Sequence, residues 1–234
     1  MRSKGGGRQP FGFSRRAVII TVVVVLVLIG LGVGLPLALS NSGSGGSTQV
    51  GKLVSPGPLG PPGPEGPPLE GGSNLAPAGS PQPGQSVDGI QCQGGEQVAF
   101  HIHARLTIFV NGQPRKVPYG VGIADPQLQP GIGVPFVDNG ACFSWLHTHT
   151  SDGIIHIESP VQRTYTLGNF FDVWGQPLSS AEVGPAKGNV TAFYNGKVWH
   201  GDPRDIPLHA HSQIQLDVGT PLVGPVHIKR WGQL

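Results

Sequence analysis

Methionine is nearly absent from this chain, since Met1 is the only one in 234 residues. That excludes thioether clusters for soft Cu(I), and a blue-copper centre with the usual Met axial ligand. Cysteine is scarce too: Cys92 and Cys142 are too few for an iron–sulfur cluster. No Gly-x-Ser-x-Gly elbow and no Gly-rich nucleotide fingerprint between a strand and a helix occurs, which removes serine hydrolases of that kind and nucleotide-binding folds. Charged residues make up only 12% and the net charge is +2, so nothing suggests a nucleic-acid surface.

What is abundant is glycine and proline, 38 and 24 respectively, which rules out a long coiled coil or helical bundle. They are unevenly spread, and the chain divides into four parts. Residues 1–16 carry Arg2, Lys4, Arg8, Arg15 and Arg16 without an acid. Residues 17–39 are apolar apart from Thr21, long enough to cross a bilayer as one helix. The basic flank predicts a single-pass signal anchor in a membrane, N-terminus cytoplasmic and the rest extracytoplasmic. A cleaved signal peptide is the alternative, although its apolar core is usually shorter. The lipid bilayer, met through residues 17–39, is the one partner the sequence specifies.

Residues 40–88 hold 12 Gly and 10 Pro and include four Gly-first triplets, Gly57 to Pro68. Collagen needs Gly at every third position, but four triplets are too few to hold a trimer. The stretch reads as a disordered, collagen-like spacer. Residues 89–234 then form an extracytoplasmic domain of single-domain length. It contains all nine histidines.

The outer domain reads as mainly β, a small antiparallel sandwich or barrel with one short helix. Phe100 to Val110 alternates, with His101, His103, Arg105, Thr107 and Phe109 on one face. Asn111-Gly112 and Asn195-Gly196 are hairpin turns, because both central residues of a type I′ turn need positive φ. Leu208 to Val218 alternates as a further strand, with His209 and His211 on its polar face. Thr166 to Trp174 is the one helix, with Thr166 as N-cap and Gly175 as stop. Cys92 and Cys142 pair as a disulfide in an oxidising compartment.

Histidine carries the chemistry. Between Trp145 and Glu158 two alternating runs flank Asp152-Gly153. A two-residue turn there sets His149 opposite His156 and His147 opposite Glu158. Three imidazoles and a carboxylate on one surface suit a divalent metal ion, Zn or Cu(II) first. Two more His-x-His pairs, His101/His103 and His209/His211, are further candidate ligands. Glu158 and Asp152 are candidate bases toward a metal-bound water. Trp145 reads as core, and His200 and His227 as unligated.

Three segments, residues 101–112 (HIHARLTIFVNG), 145–160 (WLHTH…GIIHIESP) and 201–208 (GDPRDIPL), resemble a family of bacterial membrane-anchored or secreted His-rich β domains. The resemblance covers roughly 92–220 and implies a bacterial extracytoplasmic setting, with the anchor in the plasma membrane, but no activity. His147-x-His149 also has a looser likeness to the three-His, one-Glu motif of the cupins, small β-barrels with a metal site. The Glu that motif places four or five positions later is missing here. Three functions follow as expectations: metal sensing, buffering or delivery; metal-assisted hydrolysis or hydration; or a metal-free adhesion domain on a stalk. The sequence specifies no protein partner.

Overall fold

In a computed structural model of the chain, residues 52–234 are described. The basic tail and the apolar segment 17–39 lie outside them. Among the described residues no helix is long and apolar enough to cross a membrane.

The secondary structure is β1 (Ser73–Asn74), β2 (Ile90–Gln93), β3 (Phe100–Val110), β4 (Gln113–Lys116), β5 (Ile123–Ala124), β6 (Cys142–Ser144), β7 (Leu146–His147), β8 (Ile154–Ser159), α1 (Leu167–Trp174), β9 (Val190–Tyr194), β10 (Lys197–Val198) and β11 (Gln213–Val218), with further two- and three-residue strands between them. The sheets are mostly antiparallel and form a sandwich-like arrangement, as the alternation predicts. The pairing of β11 with β3 is parallel, so the main sheet is mixed.

Strand β3 is the spine of that sheet. Its first half pairs antiparallel with β8, from Phe100 opposite Ser159 to Arg105 opposite Ile154. Its second half pairs with β11 and with β4. The β3–β4 and β9–β10 hairpins turn at Asn111-Gly112 and Asn195-Gly196, with φ of 50° and 74°, and 49° and 78°. Both turns are the ones the sequence predicts. A smaller sheet joins β2, β6 and β5, and Cys92 on β2 is bonded to Cys142 on β6.

One face of the main sheet is apolar. Ala104, Leu106, Ile108, Ile155, Ile157, Ile214 and Leu216 pack with Leu167, Phe170, Phe171 and Trp174 of α1. The helix starts and stops where expected: Thr166 and Asn169 form a reciprocal capping box, and Gly175 ends it at φ 69°.

The other face of the sheet is polar and nevertheless buried, because two irregular segments cover it. From the C-terminal side, the backbone N–H groups of Val223, Val226 and Ile228 donate to Asp217, Gln215 and Gln213. From the N-terminal side come residues 52–88, and here the structure departs from the spacer reading. Val54 bridges to Val223, the Glu70 N–H donates to Ser151 O, and β1 pairs with β4. Leu75 and Ala76 enter the main core. Glu70 is buried against Arg105 at 3.6 Å. Gly and Pro dominate the composition here, yet a few apolar and acidic side chains at the right places are enough to dock it.

Candidate metal centre

The β3–β8 register places His103 directly opposite His156, and His101 opposite Glu158. On the other side of β8 lies β7, with Leu146 opposite Ile157 and His147 opposite His156. The expected register is thus corrected by two residues. A two-residue slip keeps every side chain on its face, so the cluster survives where a slip of one would have destroyed it. Asp152-Gly153 is not a two-residue turn. The connection runs from Thr148 to Gly153, and Gly153 (φ 78°) lies so close to β3 that an added Cβ would fall 2.2 Å from Leu106 O.

His149 lies in this loop rather than in the ladder, and the loop is held by two buried hydroxyls. Thr148 donates to Pro118 O, and Thr150 donates to Pro135 O, each at 2.8 Å. The chain thereby folds back and brings the His149 ring to 4.4 Å from that of His156, centroid to centroid.

The side chains converge in two overlapping sets. His101, His103, His156 and Glu158 form one; His147, His149, His156 and Glu158 form the other, with ligand atoms within 4.8 Å of one another in each. All are buried except His101. His209 and His211 belong to neither set. The expected strand from Leu208 begins only at Gln213, because residues 209–212 form a turn with His211 at φ 59°. His211 stacks on Trp231 and contacts Leu234 O instead.

Hydrogen bonding fixes the orientation of two rings. His147 Nδ1 lies 2.9 Å from Ser144 O, and His149 Nδ1 contacts Val137 O. A carbonyl only accepts, so both Nδ1 atoms carry the proton and donate. In the neutral rings each Nε2 is then a bare lone pair, and the two Nε2 atoms lie 3.1 Å apart. Burial, with the neighbouring histidines, holds the His147 pKa well below its ordinary value; burial and the charge of His156 lower that of His149. His103 is pushed down to about 3, again chiefly by burial. These are neutral imidazoles, the form that ligates metals. The carbonyls hold the tautomers as outer partners of metal-bound histidines do.

His156 differs. Burial pushes its pKa down, but Glu158 and Glu65 outweigh it and raise it to about 9. Its Nε2 lies 3.2 Å from Glu65 Oε1 and its Nδ1 lies 3.4 Å from Glu158 Oε1. Without metal, an imidazolium here supplies positive charge between two carboxylates. Burial opposes ionisation of Glu65, yet the bond to His156 prevails and lowers its pKa. Glu96, 3.4 Å from His149 Nε2, is raised by burial and by Glu158.

Glu65 and Glu96 are site residues that sequence reasoning missed. Glu65 sits in a Gly-Pro-Glu triplet of the apparent spacer, and Glu96 in a Gly-rich turn; neither carries a local signal. Glu158 joins both ligand sets, as expected of a ligand. Asp152 is wholly buried, its Oδ1 accepts the Ile154 N–H at 2.9 Å, and it does not line the cleft beside the histidines. It braces the loop rather than facing a bound water. Trp145 is buried in the main core cluster, as expected, and its Nε1–H donates to Gln93 Oε1.

The cluster opens onto a cleft of about 520 Å³ lined by Glu65, Glu96, His101, His103, Phe136, Asp138, His149, His156 and Glu158. The disulfide ties the strand leading to Glu96 to the strand leading to His147. The buried histidines and Glu158 are placed so that they could hold a metal ion. Comparison with protein-family models, curated proteins and solved structures returns no match to this chain.

Proposed function

We propose that the domain is a metal-binding module for sensing, buffering or delivering Zn or Cu(II), tethered outside a bacterial plasma membrane by residues 17–39. One observation carries the metal reading. Two Nε2 lone pairs, on His147 and His149, face each other at 3.1 Å, with both Nδ1 protons committed to carbonyls. Two lone pairs at that distance repel unless a cation lies between them. For Zn–N bonds of about 2.0–2.1 Å, the ligand–ligand edge is about 2.9 Å in an octahedron and about 3.3 Å in a tetrahedron, so 3.1 Å suits a shared ion. The open side of the cluster supports exchange with the surroundings. Convergence of five histidines disfavours the adhesion reading, which scatters them over the surface.

A second reading is metal-assisted hydrolysis. The cleft favours it, since about 520 Å³ is within the range for small-molecule sites. Glu158 or Glu96 then takes the proton of a metal-bound water. Metal analysis tests the first reading: after dialysis against Zn or Cu(II) the protein retains metal, and the His147→Ala/His149→Ala variant retains less. Protein that stays metal-free overturns both readings. Turnover of ester or amide substrates by the loaded protein separates the second from the first.

A further inference from the structure

The donor atoms around Glu158 are arranged in two groups, not one. Glu158 Oε1 lies 3.1 Å from His101 Nε2, and His101 Nε2 lies 3.0 Å from His103 Nε2. On the opposite side, Glu158 Oε2 faces His147 Nε2 at 3.9 Å, and His147 Nε2 is 3.1 Å from His149 Nε2. Each carboxylate oxygen therefore belongs to a different His-x-His pair. Glu158 Oε2 is buried and makes no hydrogen bond. A buried carboxylate oxygen without a donor is costly, and a cation beside it removes the cost.

We infer that the cluster holds two divalent ions bridged by the Glu158 carboxylate, one on the His101/His103 pair and the other on the His147/His149 pair. This rests on the metal-binding reading and extends it. Two features support two ions over one. Beyond the shared His156 and Glu158, each set has two histidines of its own, so each ion has two imidazoles and one Glu158 oxygen, and His156 completes one of the two spheres. A bridging carboxylate with one oxygen toward each ion is the arrangement that holds two ions about 3.5–4 Å apart. Alternating His-x-His pairs on two different elements, β3 and the β7 loop, thus make a symmetric cradle around the Glu158 side chain of β8.

The test uses the full chain, stripped with chelator and dialysed first against Zn(II) and separately against Cu(II). Elemental analysis reads the metal-to-protein ratio, and electron paramagnetic resonance of the Cu(II) form reads coupling between ions. We expect two ions per chain, and loss of most of the Cu(II) signal, with a half-field transition, as the second equivalent binds. The His101→Ala/His103→Ala and His147→Ala/His149→Ala variants each hold one ion without coupling, with circular dichroism confirming the fold. A ratio of zero overturns the metal-binding reading itself. A ratio of one at saturation overturns only the two-ion inference and leaves metal binding standing. Two ions with undiminished, uncoupled signals overturn the bridge. The wild-type ratio and spectrum decide the matter even if every variant fails to fold.

Discussion

Replacing Leu75 with Ala asks whether the Gly/Pro-rich stretch before residue 89 belongs to the folded domain. Leu75 is 7% exposed, sits in the main core cluster, and its N–H donates to Lys116 O at 2.9 Å. Its side chain lies beneath Gly184, where an added Cβ would meet Leu75 Cδ2 at 3.1 Å. Truncating a buried Leu costs about 2–5 kcal/mol, transfer and cavity combined. Leu75 lies near the edge of the core with a chain segment that can relax, so the lower half of that range applies, about 2–3 kcal/mol. For a domain of 150–250 residues each kcal/mol shifts Tm by about 2–4 °C, which gives a fall of about 4–12 °C. Leu59, 52% exposed in the same stretch, is the control, and Leu59→Ala stays within about 0.5 kcal/mol. Calorimetry or urea unfolding of both variants supplies the readout. A Leu75→Ala protein as stable as its parent would refute the docking of this segment, and would restore the spacer reading.

Three further outcomes are expected. Reducing the Cys92–Cys142 bond, which spans 50 residues, costs about 4 kcal/mol by the chain-entropy model; thermal melts with and without reductant measure it, and unchanged melts contradict it. Metal binding at pH 7 releases a proton, because His156, raised to about 9, is protonated before it ligates; calorimetric titrations in buffers of different ionisation heat read the release, and buffer-independent heats count against His156 as a ligand. Burial raises the Asp152 pKa to about 7 from its ordinary 3.8, so the folded chain keeps a proton that the unfolded chain has lost. The associated stability is present below about pH 4 and is lost as pH rises through about 7. Asp152→Asn flattens that slope in metal-free protein, and a slope identical to wild type would show that Asp152 does not titrate there.

Local signals in the sequence translate directly into structure. The β3 strand begins and ends where the alternation does, both Asn-Gly turns close hairpins, and the Thr166 cap and Gly175 stop delimit α1. These features depend on neighbouring residues alone, so periodicity reveals them. The His147–Glu158 region was legible as a face but not as a register, since periodicity of two cannot distinguish slips of two. His149 reaches the cluster through a loop held by Thr148 and Thr150, contacts that only the tertiary structure creates. His209 and His211 show the reverse failure: an alternating pattern that a four-residue turn interrupts. Glu65, Glu70 and Leu75 were hidden because composition averages over a segment, whereas docking depends on single residues. The Cys pair was legible because two cysteines allow a single pairing, and that bond is present.

The central claim is that a cation belongs between the His147 and His149 Nε2 atoms, and anomalous scattering from crystals soaked in Zn(II) tests it most directly. The account predicts a peak at the zinc edge within about 2.0–2.2 Å of both nitrogens, with Glu158 beside it. Well-ordered density for both rings, full zinc in the soak and no anomalous peak within reach of either Nε2 would contradict it.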